Sequence, residues 1–366
     1  MKLTLISSSL RAGGAERVIS IVANAWAARG WKITLLTFDD GDEEPFYDLN
    51  RTIKHRYLGI GEQPIESIFA IGKNLGRVRT LKKAIIASKP HVVISFVNRT
   101  NIVTMLACRG LKIPTIISEQ VYPAYAELTK FELLLQARYY RRASLIMLQT
   151  HSALSFFPTG EGYNTYVMPN PIAVPDSPPI ESRLYSDDRH LLAVGKLIPQ
   201  KGFDLLIESF SKVCDRHPEW TLTILGDGEM RGELEDLVAR LRLEDRVDMP
   251  GTVKNVDAYI RKADLFALSS RFEGFPVALC EAMACGVPVI AADCLSGPRE
   301  IIHNNVDGML VVPENVDSMA SGLDLLMSDP VKRQYFSHYA PKVLDRFGVD
   351  KVMDMWSSAI KQVTRK

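Results

Sequence analysis

Apolar residues along this 366-residue chain fall into short unbroken runs, separated by longer stretches in which they recur at helical spacing. The runs Leu3–Ser8, Lys32–Phe38, Val92–Phe96, Thr115–Ser118 and Leu145–Gln149 in the first half read as strands buried on both faces. Leu191–Val194, Thr221–Leu225, Asp264–Leu268, Val287–Ala291 and Met309–Val311 read the same way in the second half. Helical periods lie between them, for example over Ala15–Arg29, Ile65–Ser88, Asp204–Arg216 and Asn315–Met327. Such alternation predicts an α/β chain with two doubly wound parallel sheets. The proline-rich stretch from Met168 to Pro179 avoids both periodicities and reads as the crossover between two domains, 1–170 and 171–348. Val349–Val363 carries Val352, Met355, Trp356 and Ile360 at helical spacing and predicts one last helix.

Composition refines this picture. The length suits two domains, each with its own core, and 46% hydrophobic residues exclude a disordered chain. No stretch approaches the roughly 20 apolar residues of a spanning helix, and the start at Lys2-Leu3 lacks a signal-peptide pattern, so a cytoplasmic location is expected. Cys108, Cys214, Cys280, Cys285 and Cys294 lack metal-ligand spacing and read as reduced core thiols. The net charge of +1 hides an asymmetry: residues 1–170 hold 21 Lys and Arg against 13 Asp and Glu, a net of +8. That excess suits an anionic membrane face or a diphosphate acceptor; aromatic-interleaved RNA-binding signatures are missing, so no nucleic acid is expected.

The densest chemistry lies in Glu273-Gly274-Phe275-Pro276-Val277-Ala278-Leu279-Cys280-Glu281. Gly274 and Pro276 end an apolar run and open a helix, which leaves Glu273 on a loop beside unfilled helix N–H groups and has Glu281 facing out more than a turn later. A phosphate suits the helix start, and the two carboxylates can accept hydrogen bonds from sugar and ribose hydroxyls. Two solvated glutamates flanking a helix is the bland alternative. Downstream stand Gly286-Val287-Pro288-Val289, Gly297-Pro298-Arg299-Glu300-Ile301 and Asp307-Gly308; upstream stands Gly195-Lys196-Leu197-Ile198-Pro199-Gln200-Lys201-Gly202.

Together these motifs resemble the retaining family-4 glycosyltransferases of the GT-B fold, from the N-terminal glycines to the last helix. The resemblance implies two Rossmann-like domains facing a cleft, with the C-terminal helix, 349–366, crossing back to an N-terminal acceptor-binding domain, and 171–348 binding the nucleotide sugar. It implies that Glu273 holds the donor sugar hydroxyls, that Lys196 and Lys201 neutralise the diphosphate beside Gly195, and that Glu281 binds the ribose. Gly274, Phe275 and Pro276 complete that loop, and the backbone near Val253 reads the nucleobase, most commonly uracil. Gly13 and Gly14, in Ser8-Ser9-Leu10-Arg11-Ala12-Gly13-Gly14-Ala15-Glu16-Arg17, would lie against the donor phosphate and the acceptor. By itself this glycine pair could be a tight turn, and it is not the dinucleotide fingerprint.

Two positions depart from the family pattern. Lys196 stands where the family usually has Arg, which keeps the charge but loses the planar fork. After Ile116-Ile117-Ser118-Glu119, many members place a His near the sugar carbon; here the residue is Gln120, which cannot accept a proton. In retaining transfer the leaving phosphate oxygen itself can take the acceptor proton, which leaves Gln120 a hydrogen-bonding role. Glu119 is the nearby carboxylate that could substitute, although a structural role is favoured. Asp40-Gly41-Asp42 spells D-x-D, but within the acidic loop Asp39–Glu44 it reads as a solvated turn, so no catalytic metal and no cofactor besides the UDP-sugar substrate are expected. Asp227 and Glu229, around Gly226 and Gly228, suit a helix start.

Pro64–Ser88 interleaves Ile65, Ile68, Leu75, Val78, Leu81 and Ile85 with Lys73, Arg77, Arg79, Lys82 and Lys83. Such a helix can lie on an anionic bilayer, or can be an ordinary packed helix with a solvated basic face. It resembles the basic helix of N-acetylgalactosaminyltransferases that extend undecaprenyl-diphosphate-linked oligosaccharides. The sequence thus predicts a peripheral, metal-independent enzyme at the inner face of the cell membrane that moves a hexose or N-acetylhexosamine from a UDP-sugar to a growing lipid-linked glycan. An epimerase of related fold and a non-catalytic sugar-nucleotide-binding protein are the rival readings.

Overall fold

In the computed structural model, residues 1–61, 71–174 and 188–365 are described. The chain forms two compact units: Met1–Pro171 with Val349–Lys366, and Ile172–Gly348.

The first unit is built on seven parallel strands: β1 (Lys2–Ser7), β2 (Lys32–Thr37), β3 (Lys54–Tyr57), β4 (Val92–Phe96), β5 (Thr115–Ser118), β6 (Leu145–Leu148) and β7 (Thr165–Val167). Their order in the sheet is β3-β2-β1-β4-β5-β6-β7. Strands β1, β4, β5 and β6 are buried at every position but Lys2, as central strands covered on both faces must be. The two edge strands had no such signature. In β3, Lys-His-Arg-Tyr alternates exposed and half-buried positions, and β7 is only half-buried, so neither shows an apolar run. Helices α1 (Gly14–Ala28), α2 (Ile71–Ser88), α3 (Asn98–Ala107) and α4 (Lys130–Tyr139) connect the strands. On one face, Leu81 and Ile85 of α2, Ile102 and Val103 of α3, and Tyr140 share a core with Ile6, Val93, Ile117 and Ile146.

The second unit repeats the plan with six parallel strands: β8 (Arg189–Val194), β9 (Trp220–Leu225), β10 (Val247–Gly251), β11 (Leu265–Leu268), β12 (Val289–Ala292) and β13 (Met309–Val311). Their order is β10-β9-β8-β11-β12-β13. The connecting helices are α5 (Phe203–Ser211), α6 (Arg231–Arg240), α7 (Val256–Lys262), α8 (Val277–Ala284), α9 (Pro298–Ile301), α10 (Val316–Ser328), α11 (Pro330–Tyr339) and α12 (Leu344–Phe347). The helix expected over Asp204–Arg216 stops at Ser211 and ends in a separate 3-10 turn, Cys214–Arg216. Asn315 caps α10 by accepting the Ser318 N–H at 2.8 Å.

The last helix, α13 (Val349–Thr364), belongs to the first unit. Trp356 packs edge-on to Trp26 of α1 with ring centroids 5.6 Å apart, and Arg29 reaches Asp354 at 3.2 Å. Two expectations fall partly outside the described residues: 64–70 of the basic amphipathic segment, and 175–179 of the crossover.

Candidate functional site

In each sheet, the strand order reverses at one point: between β8 and β11 in the second unit and between β1 and β4 in the first. Loops leaving adjacent strands in opposite directions open a crevice there, at the C-terminal ends of the strands, where open α/β sheets bind ligands.

The second unit places its charged residues at that crevice. The loop after β8 runs from Gly195 to Gly202, and the loop after β11 runs from Ser269 to Pro276. The ammonium of Lys201 donates to Glu273 Oε1 at 2.7 Å, and Ser270 Oγ donates to the same oxygen at 2.6 Å. Glu273 is only 4% exposed, so its charge is held by these two partners in a site largely screened from water. Burial first, and then the neighbouring Glu273 charge, pushes the Cys294 thiol up to about 12.

Further hydrogen bonds fasten the β11 loop to the β8 loop and to the start of α5. Ser269 Oγ donates to Lys201 O at 2.9 Å, Arg271 N to Gln200 O at 2.8 Å, and Gln200 Nε2 to Phe272 O at 3.0 Å. Arg271 also forks onto Asp204, Nη1 to Oδ1 at 2.9 Å and Nη2 to Oδ2 at 2.6 Å. Burial raises the Asp204 pKa, but the Arg271 hydrogen bonds and charge outweigh it and leave the carboxyl below its ordinary value. Asp204, Gln200, Ser270 and Arg271 escaped the sequence reading. Nothing local in the sequence pairs a residue at 204 with one at 271; only the adjacency of β8 and β11 does.

Gly195 lies beneath this pair. A Cβ there would stand 3.2 to 3.3 Å from Cγ, Cδ and Cε of Lys201, close enough that the lysine stem would have to give by a few tenths of an ångström. A Cβ on Gly226 would collide with the Gly195 carbonyl, and one on Gly228 with the Leu197 carbonyl. These glycines therefore let two loops touch backbone to backbone. Lys196 is exposed and forms no ion pair among the described residues. Asp227 serves a different purpose from a first-turn cap: its carboxylate accepts the Gly228 N–H at 2.8 Å and Arg231 Nε at 2.9 Å.

Gly274, Phe275 and Pro276 lead into α8, with Phe275 packed edge-on against Phe347 at 5.2 Å. Glu281 departs from expectation. It was read as facing out, but it is 4% exposed, because α8 is packed between the strands β11 and β12, helix α7 and the turn Ala340–Val343. Val253 is half-buried on the loop between β10 and α7.

The first unit holds the remaining candidates, all at the C-terminal edge of its sheet. Gly13 and Gly14 join β1 to α1; a Cβ on Gly13 would collide with the Glu16 carboxylate, whereas Gly14 faces open space. Gln120 follows β5 and is held at both ends of its amide: it donates to Ser118 Oγ at 2.9 Å and accepts from Gln149 Nε2 at 2.6 Å. Glu119 points instead into the core, where it accepts from Tyr140 Oη at 2.5 Å, Asn98 Nδ2 at 2.5 Å and Asn101 Nδ2 at 2.9 Å. Burial raises its pKa, partly offset by those donors, as for a structural carboxyl. A cavity of about 130 Å³ opens at the reversal point, lined by Ser8, Phe38, Arg77, Val97, Asn98 and Arg99 among others. Val97 at its rim has φ +71°, a conformation that a β-branched residue seldom adopts. Asp40 and Asp42 are exposed on their loop, and Glu43 pairs with Arg11 at 3.2 Å.

The basic face expected of α2 is narrower than the sequence implied. Arg77 Nη2 donates to Gly61 O at 2.8 Å and Lys82 Nζ to Arg109 O at 2.7 Å, so both cations tie the helix to its own unit. Arg79 and Lys83 are exposed.

Comparison with known proteins agrees with this geometry. The family model described as Glycosyltransferase Family 4 matches residues 12–174, and that described as Glycosyl transferases group 1 matches residues 179–343. A Campylobacter jejuni N-acetylgalactosaminyltransferase, named as acting on an undecaprenol-diphosphate-linked glycan, is 28% identical over 99% of both chains. The amylovoran biosynthesis glycosyltransferase AmsD of Erwinia amylovora is 24% identical over 98% of this chain and 99% of its own. The Anabaena protein HepE, solved in complex with UDP, superposes with a TM-score of 0.83 over 99% of this chain and all of its own, at 21% identity. With the two models matching one after the other along nearly the whole chain, the protein belongs to the family-4 glycosyltransferases of the GT-B fold.

Proposed function

We propose that this glycosyltransferase is a retaining enzyme of bacterial surface polysaccharide or glycoprotein-glycan synthesis, moving a hexose or N-acetylhexosamine from a UDP-sugar to a growing, undecaprenyl-diphosphate-linked glycan. The observation that carries the reading is the Lys201–Glu273 pair, 2.7 Å apart at the reversal point of the second sheet. A cation and a carboxylate side by side match the two halves of a sugar nucleotide: the diphosphate takes the ammonium, and the sugar hydroxyls donate to the carboxylate. Lys196 adds a second positive charge on the same loop, Glu281 is assigned the ribose, and the backbone at Val253 the base. The names of the Campylobacter and Erwinia relatives support a lipid-linked acceptor and polysaccharide synthesis, and the HepE complex supports UDP.

In the proposed reaction the bond from the sugar C1 to the diphosphate oxygen breaks, and a bond from C1 to the acceptor oxygen forms on the same face. The acceptor proton passes to the departing diphosphate. Lys201 and Lys196 lower the barrier by stabilising the charge that develops on the leaving group, with no metal ion in the scheme. In the first unit, Gly13, Gly14 and Gln120 are assigned to the acceptor side.

The test is to incubate the protein with UDP-, GDP- and ADP-sugars, with and without an extract of lipid-linked oligosaccharide, and to measure free nucleoside diphosphate. UDP released only when acceptor is present supports the reading. Conversion of the donor sugar without acceptor favours an epimerase, and binding without release favours a non-catalytic protein; either result contradicts it.

A further inference from the structure

Helix α4 exposes the wrong stripe for a helix surrounded by water. Positions 130, 133, 134, 137 and 138 are i, i+3, i+4, i+7 and i+8, the spacing that a surface helix normally turns toward its core. Here that stripe is the exposed one, and it reads Lys130, Leu133, Leu134, Ala137 and Arg138. Leu134 is 64% exposed and Leu133 47%, while the opposite side of the helix buries Glu132 and half-buries Phe131 and Leu135. Tyr125 and Phe156 are also exposed, and both rings pack against Tyr122 close by, at centroid distances of 6.1 and 5.2 Å. Adjacent exposed leucines on one helix stripe, in place of the polar residues that water favours, mark an interaction surface.

Charge selects the partner. From 125 to 142 the exposed charges are Glu127, Lys130, Arg138, Arg141 and Arg142, one negative and four positive. The other acid of that stretch, Glu132, is buried and bound to Arg99 at 3.2 Å. Leucines between long cationic side chains fit the boundary layer of an anionic bilayer, where the apolar side chains enter the acyl region and the cations reach headgroup phosphates. A protein partner would need complementary acids around a dry apolar centre, and α4 intersperses its cations among the leucines.

We propose that α4 is the main surface by which this protein docks on anionic lipid. The proposal rests on the membrane-linked acceptor of the preceding section and moves the contact from α2, whose Arg77 and Lys82 are engaged within the unit, to a helix that the sequence reading passed over.

The experiment is cosedimentation of the full chain with vesicles of phosphatidylcholine alone and of phosphatidylcholine with phosphatidylglycerol. Three variants are compared with the parent: Leu133→Ser with Leu134→Ser, Arg138→Gln with Arg141→Gln, and Arg79→Gln with Lys83→Gln on α2. All six sites are on the outer surface or carry exposed side chains, and circular dichroism checks that each variant is folded. The parent is expected to bind the anionic vesicles and to be released by salt. Each α4 variant is expected to bind at least about tenfold more weakly, since each removes two of the side chains that would enter the acyl region or reach the headgroups. The α2 variant is expected to lose less. If both α4 variants bind as the parent does while the α2 variant does not, the α4 proposal fails and the membrane reading stands. If the parent binds no vesicle, both fail. If the parent forms dimers in sedimentation velocity that Leu133→Ser with Leu134→Ser dissolves, α4 is a contact between copies and the proposal is overturned.

Discussion

Lys201 Nζ and Glu273 Oε1 are 2.7 Å apart although 72 positions separate them in the chain, because their loops leave neighbouring parallel strands. The pair is enclosed, with the Lys201 side chain 20% and the Glu273 side chain 5% exposed, so neither charge is easily replaced by water. Lys201→Ala is expected to lower the rate of transfer at least about a hundredfold, the usual order for removing one preorganised charge-stabilising group. Lys196→Arg should preserve or raise it. Steady-state transfer by folded Lys201→Ala equal to that of the parent would reject the assignment.

Gly195→Ala tests the same geometry more gently. The new methyl would press on the Lys201 stem from 3.2 to 3.3 Å, tighter than ordinary van der Waals contact, so the stem that carries the ammonium must give by a few tenths of an ångström. Activity should fall at least about tenfold, while the melting temperature changes by only a few degrees, since the lysine end is flexible. A variant with unchanged turnover would show that the position of Lys201 is not critical.

The Asp204–Arg271 fork predicts a pH dependence. A carboxyl whose folded pKa is depressed contributes stability above its unfolded pKa of about 3.9 and loses that contribution as the pH falls through the folded value. Asp204→Asn should therefore melt below the parent at pH 7, and the gap should close as the pH drops below about 4. A gap of equal size at pH 7 and pH 3 contradicts the ion-pair account.

Much of this was legible in the sequence. Central strands such as Val92–Phe96 and Leu145–Leu148 lie where their apolar runs placed them, because a parallel strand buried on both faces is apolar along most of its length. Strand β3 was illegible for the converse reason: an edge strand with one partner needs no such run. Helix α4 was missed because its apolar residues face both ways, which erases the periodicity that reveals a surface helix. The motifs single out Glu273, Lys201 and Gly195, and the fold brings those three side by side. The burial of Glu281, and the fork that binds Arg271 to Asp204, depend on neighbours that only the fold supplies.

Glu119 is expected to matter for folding and not for chemistry. Glu119→Ala would strand the Asn98, Asn101 and Tyr140 donors in the core, at about 1–3 kcal/mol for each group left unsatisfied. The first unit should melt several degrees lower, with turnover per folded molecule retained. A stable Glu119→Ala protein without activity would instead make this carboxylate part of the reaction.

The metal-free scheme predicts that EDTA leaves transfer intact and that Asp40→Asn with Asp42→Asn is active. Loss of activity with chelator, restored by manganese and abolished in the double variant, would move the diphosphate site to the acidic loop.

The central claim is retaining transfer from a UDP-sugar to a lipid-linked glycan, and the anomeric configuration of the product tests it most directly. With a UDP-α-sugar donor identified by the panel, the new linkage should be α by its proton NMR coupling, with one UDP released per sugar transferred. A β linkage, or UDP release uncoupled from glycan extension, would contradict the account.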